Sequence, residues 1–348
     1  MSKFIPQYAP DIRLRDIWAV VKQMQTGWVG PSKATQYFED LLRSYCSTDY
    51  CYSTTSGTTA IMMALYGLDL PPGSTILFPA YTFLAGANAA RLMGFKVRLV
   101  DIKRDTLCMD PDKIRITKDV SCVIFVRHNT YDGQDMDKVK NICQKKSVKF
   151  LEDAAQCVDR IGFGRYVGDV VTISFSVPKL ITTGQGGAVL TNNTAIAARC
   201  IEFRDHGGGW RENKIHDKIG GNFKFNDILA AFGISQLQDL GSIKKKRDKI
   251  FEWYKQHIDL VDFGYNSTWM VIYRAKRPKE LIEALSKHSI QAVQYYKPVS
   301  HNPPYKTRRK FPVAEQVARE LVYLPSSLNL KRRDIRRICK ILLEVENG

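Results

Sequence analysis

Residues 170–190 read VVTISFSVPKLITTGQGGAVL, and this stretch decides the fold. The β-branched run 170–176 predicts a buried strand, and the run 187–192 predicts a second strand after a glycine-rich loop. Lys179 lies between them, just past the first strand. A lysine sheltered in this way can have a depressed pKa and act as an amine nucleophile toward an aldehyde, whereas a lone lysine after a strand is usually exposed to solvent.

Similar apolar runs precede this block, and amphipathic stretches separate several of them. The stretch 136–146 predicts a helix with Val139, Ile142 and Cys143 on one face. Near-continuous apolar strands separated by helices predict a mostly parallel sheet that is covered on both sides. Ligands bind such sheets beyond the carboxyl ends of the strands. The further runs that predict strands are 74–78, 96–102, 121–126 and 148–153.

Near residue 240 the alternation of short apolar runs and helical stretches gives way to one long amphipathic stretch. A length of 348 residues suits two domains of unequal size. We predict a large domain over residues 1–240, which includes an N-terminal segment, and a smaller α/β domain over residues 241–348. The elements predicted after the boundary are a long bridging helix at 240–257, a strand at 268–275, a helix at 278–288 and a final helix at 331–345.

Composition narrows the class of protein. The 8 cysteines are scattered, with no C-x-x-C pair and no metal-ligand spacing, which favours a reducing compartment over a disulfide framework or a metal site.

The N-terminus lacks an apolar signal core and no run of 18 apolar residues occurs, so the sequence predicts a cytoplasmic protein without membrane contact. A net charge of +17 fits nucleic acid, a membrane surface or anionic small molecules, and charge alone does not decide between them.

The segment CYSTTSGTTAIMMALYGL (51–68) is a candidate phosphate site. A loop of small hydroxyl residues opens an apolar helix at Gly57. Free backbone N–H groups at the start of a helix, together with the hydroxyls of Ser56, Thr58 and Thr59, would form a phosphate cradle. The alternative is an ordinary helix N-cap.

The segment LEDAAQCVD (151–159) places a carboxylate at the end of a predicted buried strand. An unpaired carboxylate is costly there, so Asp153 requires a cationic partner. Gln156, three residues further on, would project from the same turn toward the group that pairs with Asp153. The alternative is that Glu152 and Asp153 only cap the following helix.

In order and approximate spacing, these segments resemble the DegT/StrS family of pyridoxal-phosphate (PLP) dependent nucleotide-sugar aminotransferases. The resemblance covers roughly residues 17–330, and residues 151–156 and 174–187 are its most specific parts. It implies the aspartate-aminotransferase-like fold (fold type I): an α/β large domain with a mostly parallel sheet, plus a smaller C-terminal α/β domain. The other similar segments are TGWVGPSKATQYFED (26–40), FPAYTFLAGANA (78–89), RDHGGG (204–209), GGNFKFNDILAAFG (220–233), YYKPVSHNPPY (295–305) and LVYLPSSL (321–328).

The resemblance implies a role for each matched residue. Lys179 would hold PLP as a Schiff base and then move a proton between substrate and cofactor. Asp153 would pair with the pyridine nitrogen and keep the ring an electron sink. Gln156 would bond the ring oxygen. Phe83 would stack on the ring face, or else only pack in the core.

The phosphate would be held by Gly57, Thr58 and Ser174. Asn222 would reach the phosphate of the neighbouring subunit, which implies a homodimer with shared active sites. Its alternative is a turn residue after two glycines. The resemblance also places two residues near the sugar nucleotide, Tyr296 and His301, and His301 could equally be a loop residue without a ligand.

Two residues depart from the family pattern. Gln185 replaces the usual acidic residue of the glycine loop, and Pro178 stands where a small or hydroxyl residue is commoner. Neither change removes a catalytic group. Family members that carry histidine in place of the lysine are sugar dehydratases, so Lys179 favours transamination.

The activity implied is amino transfer from L-glutamate to C4 of a nucleotide-linked 4-keto-6-deoxyhexose, giving a viosamine- or perosamine-type sugar. The alternatives are C3 amination, a PLP-dependent sugar dehydratase, and a non-catalytic regulator that binds nucleic acid. No helix-turn-helix, zinc-finger or RNP-like motif supports the regulator. The basic clusters 244–247, 306–310 and 331–337 would attract the substrate pyrophosphate, or are solvated helix faces.

Overall fold

A computed structural model describes residues 4–131, 133–157, 166–208, 215–263 and 269–348. Its strands are β1 (Tyr50–Thr54), β2 (Thr75–Pro79), β3 (Lys96–Val100), β4 (Val120–Val126), β5 (Lys149–Asp153), β6 (Val170–Ser174), β7 (Gly187–Thr191), β8 (Val271–Arg274) and β9 (Leu321–Leu324). Its α-helices are α1 (Leu14–Gln25), α2 (Lys33–Cys46), α3 (Gly57–Gly67), α4 (Ala85–Leu92), α5 (Gln134–Lys145), α6 (Thr194–Arg204), α7 (Asp227–Gln238), α8 (Leu240–Lys255), α9 (Pro278–Lys287), α10 (Pro312–Glu320) and α11 (Arg332–Asn347). Short 3₁₀ helices cover Pro111–Lys113, His128–Thr130, Val299–His301 and Pro303–Tyr305.

The large sheet has seven strands in the order β1-β7-β6-β5-β4-β2-β3. Its neighbours from β6 to β3 are all parallel, while β7 is antiparallel to both β6 and β1. The mostly parallel α/β sheet predicted from the sequence is therefore confirmed. Sequence patterning did not find β1, and it did not indicate the reversed direction of β7.

Helices cover this sheet on both faces, which explains why its strands are so apolar. β2, β6 and β7 are buried along their whole length. Alternate residues of β2 point in opposite directions: Ile76 and Phe78 belong to the apolar cluster formed with α3 and α4, and Leu77 to the cluster formed with α5. The helix predicted at 136–146 is α5, and its Val139 and Cys143 are buried as expected.

The C-terminal part has its own two-stranded antiparallel sheet, β8 and β9, with α8, α9 and α11 packed nearby. A single apolar cluster nevertheless joins Phe38 and Phe175 to Phe251 and Leu342. α7 ends at Gln238 and α8 begins at Leu240. The predicted boundary therefore falls where one helix follows directly on another. The division at residue 240 stays a prediction.

All the cysteines of the chain are buried. Burial raises the pKa of several of them, including Cys46 and Cys200 to about 12, so these thiols stay protonated and inert at neutral pH. Among the described helices, none has the length and apolar character needed to cross a membrane.

Candidate active site

The carboxyl ends of the parallel strands converge on one cavity of about 300 Å³. Asp153 is the last residue of β5, Ser174 is the last residue of β6, and the amino end of α3 lies beside them. The predicted site residues that line this cavity are Gly57, Thr58, Phe83, Asp153, Gln156, Ser174, Lys179 and Tyr296. Residues far apart in the sequence are thus brought together at the edge where a parallel sheet binds its ligand.

Lys179 is buried, and its backbone is fixed on both sides. Its N–H donates to the Ser176 carbonyl at 2.9 Å, and its own carbonyl accepts from the Tyr8 hydroxyl at 2.5 Å. The side-chain nitrogen lies 3.9 Å from the centre of the Trp269 ring. Burial lowers the pKa of Lys179 to about 8, although the negative charge of Asp153 opposes this shift. Roughly a tenth of the amine is therefore uncharged and nucleophilic at pH 7, far more than for an ordinary lysine.

Asp153 and Glu152 have different surroundings although they are adjacent. Glu152 is fully buried and forms an ion pair with Arg127 at 2.9 Å. Asp153 lines the cavity and accepts one bond, from the Ala155 N–H at 2.9 Å. Burial raises the pKa of Asp153, while the Ala155 N–H and the charge of Lys179 oppose the rise. The described residues that follow, 154–157, form a turn, so Asp153 caps no helix within that range.

Gln156 is oriented by a residue that the sequence did not single out. Its side-chain oxygen accepts from the Asn129 backbone N–H at 2.8 Å, which leaves the amide NH₂ as its donor group. Asn129 has a left-handed backbone with φ 47°. Its side chain bonds both the N–H and the carbonyl of Met270, at 2.7 and 3.0 Å. Asn129 therefore ties the end of β4 both to Gln156 and to the chain that enters β8.

The amino end of α3 combines a helix cap with backbone N–H groups that face the cavity. The Ser56 hydroxyl accepts from the Thr59 N–H at 3.1 Å, and the Thr59 hydroxyl accepts from the Ser56 N–H at 2.8 Å. The N-cap alternative is thus correct for these two residues. The N–H groups of Gly57 and Thr58 lie in the first turn of α3, where the helix itself offers no acceptor for them. They are therefore available to donate to an anion.

Gly57 approaches Ser174 so closely that a larger residue would not fit. A Cβ atom at position 57 would lie 2.9 Å from the Cβ of Ser174. The contact places the β6 hydroxyl directly beside the first N–H groups of α3. This combination of N–H donors and a hydroxyl fits a phosphate group.

The two predicted aromatic residues occupy the cavity in different ways. The Phe83 side chain is 64% exposed although it lines the cavity, so core packing is not its role. Tyr296 is buried and packs edge-on against Tyr81 and His128. An exposed ring at the mouth of a cavity is available to stack on a ligand, whereas Tyr296 forms part of the wall.

Neither Asn222 nor His301 occurs among the described residues that line this cavity. Asn222 is exposed, and its backbone pairs with Asp205. The His301 ring bonds Glu315 at 2.7 Å and lines a different cavity. The predicted contacts of Asn222 with a neighbouring subunit and of His301 with the sugar nucleotide stay predictions.

Trp269 is the main cavity residue that sequence reasoning missed. It lines the cavity over Lys179, and its ring N–H donates to the Pro178 carbonyl at 2.6 Å. Pro178 and Gln185, the two departures from the family pattern, also line the cavity. Trp269 falls inside the strand predicted at 268–275, and the strand pattern alone explained its presence.

The arrangement fits a phosphorylated aromatic aldehyde. It offers an amine that loses its proton readily, a buried carboxylate for a ring nitrogen, an amide donor for a ring oxygen and a cradle for a phosphate. Together with the mostly parallel sheet, these groups define the class of PLP-dependent enzymes.

Comparison with known proteins identifies the family. Residues 10–343 match the DegT/DnrJ/EryC1/StrS aminotransferase family, and the chain belongs to it. GDP-perosamine synthase of Escherichia coli O157:H7 is 28% identical over 98% of both chains. The 3-oxo-glucose-6-phosphate:glutamate aminotransferase of Bacillus subtilis is 30% identical over 80% of this chain and 66% of its own length. The solved structure of NtdA from Bacillus subtilis with bound cofactor PMP is 25% identical, covers 97% of this chain and 83% of its own, and superposes with a TM-score of 0.86.

These findings confirm the predicted fold class, the aminotransferase activity and the PLP cofactor. The residue roles at the site, the amino donor and the particular sugar are finer predictions.

Proposed function

We propose that the protein transfers an amino group from L-glutamate to C4 of a nucleotide-linked 4-keto-6-deoxyhexose. The observation that carries the proposal is the match to a GDP-perosamine synthase over 98% of both chains, combined with a cavity that retains Lys179. A basic chain of net charge +17 suits a substrate that carries a diphosphate.

The residues of the cavity divide the chemistry between them. When bound, PLP supplies the electron sink that stabilises negative charge on the substrate carbon. Lys179, with its pKa lowered to about 8, attaches the cofactor and can both accept and release a proton at its side-chain nitrogen. Asp153 keeps a proton on the ring nitrogen, and Gln156 donates to the ring oxygen. Gly57, Thr58 and Ser174 would hold the phosphate.

One relative favours a second candidate, amination at C3. The Bacillus subtilis relative, 30% identical, is named for a 3-oxo sugar and for glutamate as donor. The same lysine and carboxylate would serve either carbon, since the sugar only has to turn in its pocket. Regiochemistry therefore depends on the sugar contacts and not on the cofactor site.

The test is product analysis by mass spectrometry after incubation with glutamate and a panel of nucleotide-linked 4-keto-6-deoxy and 3-keto sugars. C4 amination predicts an amino sugar from the 4-keto substrates and stoichiometric 2-oxoglutarate. Amination of the 3-keto substrates alone would replace the proposal by its second candidate. Loss of a hydroxyl group without use of glutamate would indicate a dehydratase and overturn both.

We further propose that the enzyme is a homodimer whose subunits share active sites. Exposed apolar side chains cluster in the first two helices and the loop between them, and such a patch usually marks an interface. The exposed residues are Leu14, Ile17, Trp18, Met24, Trp28, Val29 and Tyr37. Asn222 is also exposed and is therefore accessible to a partner.

Subunit mixing tests the shared site. Asn222→Ala should weaken PLP binding without removing the amine, and Lys179→Ala should be inactive. In a mixed dimer one site would carry both changes and the other neither, so subunit exchange should restore activity. Confirmed exchange without recovered activity would show that Asn222 acts within its own subunit.

A further inference from the structure

A second cavity, of about 400 Å³, lies at the opposite edge of the large sheet. Its lining includes Thr75 and Lys96, the first residues of β2 and β3, and Asp119, which directly precedes β4. Since these strands run parallel, their first residues share the edge that faces away from Asp153. One strand length, roughly 15 Å, separates the two edges. We refer to this cavity as the amino-edge groove.

Positive charge dominates the amino-edge groove. Its only acidic lining residue among those described is Asp119, and that carboxylate already accepts hydrogen bonds from neighbouring side chains. It accepts from Arg98 at 2.6 Å and from the hydroxyls of Thr75 and Thr117 at 2.6 and 2.5 Å, and these hydroxyl bonds hold its pKa below the usual range. Four other lining cations have no ion-pair partner among the described residues: Arg91, Lys96, Lys306 and Arg309.

The segment that supplies Lys306 and Arg309 is anchored at both ends. Tyr305 is buried and donates its hydroxyl to the Asn88 side-chain oxygen on α4 at 2.5 Å. Phe311 is buried, and the N–H groups that follow at the start of α10 donate to the Asp101 carboxylate at 3.0 and 3.1 Å. The two cations therefore extend from a fixed backbone, which lowers the entropy lost when they bind a ligand.

We infer that the amino-edge groove binds the diphosphate group of a nucleotide-like anion, at a site separate from the catalytic cavity. Four cations without an ion-pair partner in the described part of the chain exceed the charge of one phosphate. The volume lies in the range of small-molecule sites. The guanidinium groups of Arg91, on α4, and Arg309, in the 303–311 segment, can each bond two oxygens of a phosphate group. The basic cluster 306–310 thus contributes Lys306 and Arg309 to this groove and lines no part of the Lys179 cavity.

The test is calorimetric titration of the PLP-loaded enzyme with inorganic pyrophosphate. The variant Arg91→Gln/Lys96→Gln removes two groove cations outside the 306–310 cluster. Its control, Lys279→Gln/Lys340→Gln, removes two exposed cations, one from α9 and one from α11, that lie outside the basic clusters. We expect the groove variant to weaken pyrophosphate binding by about tenfold or more, and the control to bind as the wild type does. Equal binding by groove variant and wild type would overturn the inference, as would an equal loss in the control.

Lysine acetylation followed by peptide mass spectrometry locates the ligand. Pyrophosphate should protect Lys96 and Lys306 from acetylation and leave Lys340 reactive. Protection of all three alike would show general screening of charge and contradict a defined site. A parallel titration with GDP separates the two sources of a diphosphate: tighter binding than pyrophosphate indicates a nucleotide, and equal binding indicates that the diphosphate alone is recognised.

Discussion

The two edges of the large sheet carry cations in opposite environments. At the carboxyl edge, Lys179 is buried beside Asp153, and burial lowers its pKa to about 8. At the amino edge, Arg91, Lys96 and Arg309 are exposed and keep their hydration. The same kind of side chain is thus poised to lose its proton at one edge and keeps its charge at the other. Desolvation, and not the number of charges, determines where a lysine can do chemistry.

The sharpest test of this contrast replaces one lysine at each edge. Lys179→Ala should lower transamination by at least about a thousandfold, because it removes the amine that binds the cofactor. Lys149→Ala, at the exposed amino end of β5, should leave the rate unchanged. Steady-state assays measure both variants, and circular dichroism checks that each is folded. A similar loss in both would show that the effect is not specific to the buried lysine.

The buried carboxylate should have the next largest effect. Asp153→Asn should retain cofactor and lose roughly a hundredfold or more in rate, because a neutral amide cannot keep the ring nitrogen protonated. The visible absorbance reports cofactor retention, and kcat reports the loss. A near-normal rate would mean that the Asp153 side chain only accepts the bond from the Ala155 N–H.

The lowered pKa of Lys179 predicts how cofactor uptake depends on pH. The folded value of about 8 lies below the ordinary value of 10.5, so the amine is neutral in the folded apoprotein above pH 8 and charged below it. The rate of PLP uptake should rise roughly tenfold per pH unit up to about pH 8 and then level off. Stopped-flow absorbance measures it. A rate that still rises through pH 10 would show an ordinary, solvated lysine.

The same shift fixes the sign of a stability effect in the apoprotein. Between about pH 8 and 10.5 the unfolded chain binds a proton at Lys179 that the folded chain does not bind. The contribution of this group to the free energy of unfolding therefore increases with pH across that window, and the full penalty of burial applies below it. The increase should be absent in Lys179→Ala.

A smaller effect is expected at Asn129, which positions Gln156 and Met270. Asn129→Ala removes the two Asn129 bonds to the Met270 N–H and carbonyl and forces alanine into a left-handed backbone. The free energy of unfolding should fall by about 2–4 kcal/mol, measured by urea denaturation. Asn347→Ala, exposed at the end of α11, should change it by less than about 0.5 kcal/mol. Equal values for both would mean that the Asn129 bonds contribute nothing.

Much of this organisation could be predicted from the sequence because it depends on local patterns. Apolar runs identified β2 to β7, and the position of Lys179 after β6 marked the edge of the sheet where its cavity lies. Asn129 and Trp269 could not be found in this way, because their roles arise from contacts across 141 and 91 residues of chain. The amino-edge groove could not be predicted for the same reason, because α4, β3 and the 303–311 segment meet only in the folded protein.

Lys179 is the residue proposed to carry the cofactor. The most direct measurement is borohydride reduction of the PLP-loaded enzyme, followed by proteolysis and mass spectrometry of the peptides. The structure predicts a single modified peptide with the pyridoxyl group on Lys179, and loss of that signal in Lys179→Ala. A pyridoxyl group on any other lysine, with Lys179 unmodified, would contradict the account.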